Sequence, residues 1–85
     1  MKLRLGSRWW NWRESDKLTA KDGHCDYEKG EIVVTKTYID EIDELDTAIH
    51  EMDHAQHPEK PERDVRRDSR QLAVALVKLG WHRGR

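Results

Sequence analysis

Met1–Leu5 alternates apolar and polar residues, the period of two that marks one face of a strand. Arg8–Arg13 continues with Trp9, Trp10 and Trp12, aromatic residues that suit a pleated surface. Ser15–Gly23 is polar and reads as a loop. Lys29-Gly30 is a turn signal. Ile32, Val33, Val34 and Thr35 then follow in a row, which makes Glu31–Lys36 the clearest strand. Beyond it the period lengthens. Ile42, Leu45, Ile49 and Met52 recur at spacings of three and four and predict a helix from Asp40 to Gln56, stopped by Pro58 and Pro61. A second helix begins at Pro61, with Val65, Leu72, Leu76 and Leu79 as its buried stripe, Ala73 and Ala75 in support and Gly80 closing it. The expected fold is α+β. A small antiparallel sheet of about three strands is followed by two packed helices, in a single domain over residues 1–85.

Composition sharpens this picture in one respect. Hydrophobic residues are 35% of the chain, charged residues 39%, and Phe is absent, so the core is thin for a small domain. Such domains often add a disulfide, a metal or a partner chain. Cys25 is the only cysteine, which closes the disulfide route within one chain and points to a reducing, cytoplasmic setting. No apolar stretch approaches the roughly 20 residues that span a bilayer. A net charge of −1 argues against a dedicated nucleic-acid binder. The charge is nonetheless uneven. Residues 1–13 are basic without an acid, while 40–53 are acidic without Lys or Arg, where carboxylates favour the positive end of a helix dipole.

The predicted first helix carries His50-Glu51-Met52-Asp53-His54. Residues four apart lie one turn above each other on one helix face, so two imidazoles can reach a single Zn²⁺ at about 2.0–2.1 Å. Glu51 points about 100° round the helix from His50. It flanks the metal without binding it, the placement of a general base for water whose pKa zinc brings to about 7. The pair sits at the rim of the predicted apolar face, anchored on a rigid element and open to solvent.

A catalytic zinc site of this kind has a third protein ligand and keeps one position for water. His57 lies seven residues after His50, and seven residues of helix rise about 10 Å, too far to converge unless the helix breaks. Glu62 is the better candidate, since a tight turn through His57–Pro61 could fold the second helix back over the first. Asp64 and Asp68 are weaker options.

These residues resemble a family. Cys25-Asp26, the strand Ile32–Lys36, Ile49-His50-Glu51 with His54-Ala55, Glu62 with Val65, and Leu79-Gly80-Trp81 look like the small phage- and prophage-encoded zinc metallopeptidase-like proteins of minimal gluzincin type. The match covers about two thirds of the chain, and only H-E-x-x-H in it is a specific motif. The resemblance implies a zincin-like fold and a zinc-dependent peptidase working in a bacterial host cell. His50, His54 and Glu62 would hold one Zn²⁺ and Glu51 would be the general base. It also implies that a protein or peptide substrate lies along Ile32, Val33, Val34 and Thr35, taken as the edge strand. Two positions depart from the pattern. Asp53 puts a charge beside His54, where it could compete for the metal, and Gln56 is polar where such helices bury an apolar residue.

Other residues have roles to be assigned. Trp9, Trp10, Trp12 and Trp81 are the natural core aromatics of a chain without Phe, and Trp9, Trp10 and Trp12 are a second option as a protein-binding surface. With Arg4, Arg8 and Arg13 they could also stack on single-stranded nucleic acid. Cys25 reads as a small buried thiol. Tyr27, Tyr38 and His24 are equivalent candidates to stabilise an oxyanion. His82 and the Arg83-Gly84-Arg85 tail read as a basic end. A non-catalytic module, in which zinc clamps the helices and the tryptophan-rich strand meets a partner protein, is the competing function.

Overall fold

Two hairpins build the sheet. A computed structural model of the chain describes residues 1–16 and 23–83. β1 (Lys2–Leu5) and β2 (Arg8–Ser15) pair antiparallel across the two-residue turn Gly6-Ser7. β3 (Gly23–Asp26) and β4 (Glu31–Thr35) pair antiparallel across a second turn, in which the Asp26 carboxylate accepts from the Lys29 N–H at 3.1 Å. The hairpins join through β2 and β4, which run parallel, so the strand order is β1-β2-β4-β3. The expected loop over 15–23 is bounded by Ser15 at the end of β2 and Gly23 at the start of β3, and its middle lies outside the described residues.

The sheet therefore has four strands and is mixed, where about three antiparallel strands were expected. β3 escapes the periodicity because Gly23-His24-Cys25-Asp26 has no apolar alternation. The strand order follows from which strand most needs cover. Ile32, Val33 and Val34 are at most 1% exposed, the continuous apolar run of a strand buried on both faces. β4 accordingly takes an interior position and leaves the edge to β3.

On one sheet face Trp10, Trp12, Ile32 and Val34 form the core with Ala55, and Leu3, Leu5, Cys25, Ala48 and Met52 pack around them. α1 (Glu41–Gln56) lies on this face. α2 (Glu62–Lys78) packs on α1 and, among the described residues, on no strand. The rows that α1 and α2 bury are Thr47, Glu51 and Ala55, and Val65, Ser69 and Ala73. The α1 row faces the sheet, with Ala55 in the core and Glu51 against Gly23, whereas the α2 row faces α1, where the small residues Ser69 and Ala73 let the two helices approach closely. Ser69 is fully buried, and its hydroxyl donates to Asp46 across the interface at 2.6 Å.

This corrects the expected helix faces. Ile42, Leu45, Ile49 and Met52 are only half-buried, and Leu72 and Leu79 are exposed, at 52% and 76%. Among the described residues α2 has one neighbouring element and buries one narrow face, so part of its apolar stripe is left exposed. The tryptophans divide in the same way. Trp10 and Trp12 are core, whereas Trp9 and Trp81 are exposed.

The helix ends follow their sequence signals. Asp40 caps α1, accepting from the Asp43 N–H at 2.8 Å, while Asp43 accepts from the Ile39 N–H at 3.2 Å. Pro61 stands at the cap of α2. Gly80 ends α2 at φ +94°, a conformation that costs other residues strain, with its N–H on the Val77 carbonyl and the Trp81 N–H on that of Leu76. No helix among the described residues is long and apolar enough to cross a membrane.

Candidate metal centre

His50 and His54 stand one turn apart on α1 with their Nε2 atoms 3.1 Å from each other. The chain leaves α1 at His57, turns through Pro58-Glu59-Lys60 and re-enters a helix at once. That short turn places Glu62, the first residue of α2, against both rings. Its Oε1 is 2.9 Å from His50 Nε2 and its Oε2 is 2.8 Å from His54 Nε2. These three side chains are the one group of potential metal ligands among the described residues.

The donor set suits zinc: two imidazole nitrogens and a carboxylate, each offering one atom. Tetrahedral bonds of about 2.0–2.1 Å separate ligand atoms by roughly 3.3 Å. The two Nε2 atoms are 3.1 Å apart and each faces a different Glu62 oxygen, while one atom from each residue lies within 4.8 Å of the others, so the carboxylate would have to turn to offer a single oxygen to an ion. Both rings are half-buried, and the Glu62 side chain is half-exposed.

The alternatives for the third position lie elsewhere. His57 is exposed at the end of α1, with its Nδ1 3.8 Å from Glu59. Asp64 faces Arg67 and Arg63, at 3.5 and 3.6 Å. Asp68 pairs with Lys60 at 2.8 Å and Arg67 at 2.9 Å, which hold its carboxyl below the usual carboxylate range. Asp53 does not turn toward the histidines. Its carboxylate is 2.7 Å from Lys60 Nζ, on the far side of α1, in a groove it shares with Ile49 and Met52. Gln56 is simply exposed.

Glu51 is 6% exposed and sits against Gly23 at the start of β3. It lines the same cleft as the His-His-Glu trio without joining it. The cleft has a volume of about 680 Å³ and lies between α1, the first turns of α2, and β3 with the turn after it. Of the three oxyanion candidates, His24 and Tyr27 line it, and Tyr38 opens onto a separate hollow beside Arg83. The Tyr27 hydroxyl donates to the His54 backbone carbonyl, which fastens the last turn of α1 to the end of β3. Burial raises the Tyr27 pKa above its ordinary value, and its neighbours Cys25 and Glu51 add to the shift. Cys25 also lines the cleft. Burial first, and the Glu51 carboxylate second, push its thiol up to about 11.

Three expectations are overturned here. Ile32, Val33, Val34 and Thr35 are not an edge strand, because β4 has β2 on one side and β3 on the other. The strand that borders the cleft is β3, with no strand on its outer side among the described residues. Trp9, Trp10 and Trp12 do not make one binding surface either, because only Trp9 is exposed. The basic-aromatic patch is split in the same way. Arg8 lies over the Trp10 ring at 4.5 Å and donates to the Tyr27 carbonyl, while Arg4 lies over Trp9 at 5.6 Å. In addition, Gly23 borders the cleft beside Glu51, and it carries no motif that marks it. No protein-family model matches the sequence, and neither does any characterised protein or solved structure.

Proposed function

We propose that this chain is a zinc-dependent metallopeptidase, in line with the H-E-x-x-H resemblance of its sequence. The observation that carries the reading is the convergence of His50, His54 and Glu62, from two helices, with a buried glutamate in the same cleft. His50 and His54 through Nε2, and Glu62 through its carboxylate, are the residues that would hold one Zn²⁺. When bound, zinc supplies a Lewis acid and makes water acidic enough to deprotonate near neutral pH. Glu51 takes the proton that water gives up and passes it to the nitrogen of the scissile amide, so one carboxylate serves as base and then as acid. Its burial keeps it pointed into the cleft, and His24 and Tyr27 are the neighbours able to reach an oxyanion.

The substrate, in this reading, is an extended peptide segment that hydrogen-bonds to the outer side of β3. A half-exposed ligand at the mouth of an open cleft suits a segment of a protein better than an enclosed small molecule. The proposed setting is the reducing interior of a bacterial host cell, where an unpaired Cys25 is at home.

The test is the metal content of wild type, His50→Ala, Glu62→Ala and Glu51→Gln, together with hydrolysis of an unfolded protein substrate. About one zinc in wild type and Glu51→Gln, weakened in the ligand variants, with cleavage lost in all three, is the expected outcome. Undiminished cleavage by Glu51→Gln would sink the mechanism. Absence of zinc from reconstituted wild type would sink the metal centre.

One observation favours a second reading. Among the described residues Glu62 belongs to a helix that packs on α1 alone, so a zinc ion held by the trio would also fasten α2 in place, as in a non-catalytic clamp.

A further inference from the structure

We propose that Lys60 is the positioning residue of the His50–His54–Glu62 centre, and that it acts by locking the start of α2 against α1. The inference rests on reading that trio as a metal centre. α2 touches no strand among the described residues, and Pro61 at its cap offers no side-chain hydrogen bond. The Glu62 side chain is half-exposed, and its one cationic contact on α2 is Arg66 at a loose 3.8 Å. The carboxylate would wander if the first turn of α2 were free to shift.

Lys60 lies two residues before Glu62, in the turn between the helices. Its ammonium is 2.7 Å from Asp53 on α1 and 2.8 Å from Asp68 on α2. Asp53 adjoins His54 in sequence, so one cation links the helix turn that bears a ligand to the helix that bears Glu62. It also separates two carboxylates that would otherwise repel across the interface. An isolated surface ion pair contributes little. A single ammonium shared by acids from two helices instead fixes a geometry, here the register at which α2 begins. The bridge faces the groove on the far side of α1 from the cleft, so Lys60 touches neither substrate nor metal. Asp53, the departure from the zinc-peptidase pattern, thereby acquires a role as the anchor of this bridge.

The experiment measures zinc affinity by competition with a chromophoric chelator, for wild type, Lys60→Met, Lys60→Arg, Glu62→Ala and Lys60→Met combined with Glu62→Ala. Lys60→Met should weaken zinc roughly 10–100-fold, as loss of an orienting partner does elsewhere. Lys60→Arg should restore most of that affinity. In the Glu62→Ala background the same Lys60→Met change should cost nothing further, because the group it positions is gone. Equal losses in both backgrounds would mean a general contribution to folding and would overturn the proposal, as would unchanged affinity in Lys60→Met. Should Lys60→Met fail to fold, Asp68→Asn removes one arm of the bridge with the shape kept, and the same coupling to Glu62→Ala decides. Wild type that binds no zinc would remove the metal centre itself, a failure distinct from wild type that binds and a Lys60 variant that binds equally well.

Discussion

A β-carbon placed on Gly23 would stand 3.1 Å from Cγ of Glu51, 3.2 Å from its Oε2 and 3.0 Å from the Val33 carbonyl oxygen. The first residue of β3 thus makes room for the buried carboxylate of Glu51, the base in the proposed mechanism. The backbone oxygen cannot yield without disturbing the β3–β4 pairing, so an alanine here would push the glutamate aside by a few tenths of an ångström. Gly23→Ala should leave zinc content near that of wild type and lower kcat/KM for peptide hydrolysis on the order of tenfold to a hundredfold. Full activity with full zinc would show that Glu51 needs no such clearance.

Trp9 and Trp10 are neighbours in sequence with opposite environments, 57% and 1% exposed. Trp10→Ala should cost about 3–5 kcal/mol, against a total stability of roughly 4–13 kcal/mol expected at this chain length. Trp9→Ala should stay within about 0.5 kcal/mol. Trp10→Phe should be far milder than alanine, because the indole N–H is buried without an acceptor among the described residues. Urea unfolding followed by circular dichroism separates the three.

Cys25 provides a pH test in metal-free protein. With its thiol pushed above the ordinary 9.0 to about 11, by burial and then by Glu51, the folded state holds a proton that the unfolded chain releases first. The stability this confers is complete below pH 9 and is lost as pH rises from about 9 through about 11. Alkylation of Cys25 at pH 8 should be much slower in the folded protein than in urea. Equal rates would show an exposed, ordinary thiol.

Chelation should lower the thermal midpoint without unfolding the protein at room temperature. The helices are joined independently of metal by the Ser69–Asp46 hydrogen bond, the Lys60 bridge and the burial of Val65 and Ala73. Zinc, if bound as proposed, would then stabilise only by its occupancy, about 4 kcal/mol at a thousandfold excess over Kd. Loss of the helical signal on adding chelator would instead support the clamp.

Much of this arrangement was legible from the chain because its signals are local. The placing of His50 and His54 on one helix face is fixed by their spacing of four, and the helix ends by Asp40, the prolines and Gly80. That Glu62 meets the two histidines followed from the shortness of the turn between the helices. What stayed hidden depends on contacts between distant segments. The polar run Gly23–Asp26 becomes a strand only because β4 has a side to offer it, and that in turn moves Ile32–Thr35 from edge to interior. The periodicity of α2 correctly marks a helix, yet it cannot say that among the described residues α1 is its one neighbour and leaves Leu72 and Leu79 exposed. Likewise Asp53 beside His54 reads as a competitor for metal until Lys60 is seen to hold it.

The parallel seam between β2 and β4 has a consequence in time. Each hairpin closes between near neighbours in sequence, an event of about 1–10 μs. The seam that sets Trp12 beside Ile32 cannot zip outward from either turn, so its loop-closure entropy is lost before the shared core begins to form. Until it closes, α1 has no surface to lie on, and α2, which rests on α1, must dock later still. Refolding should therefore slow when Trp12 or Ile32 is trimmed. Changes at Ala73 should leave that rate alone and quicken unfolding, making the element that brings Glu62 the last to arrive and the first to leave.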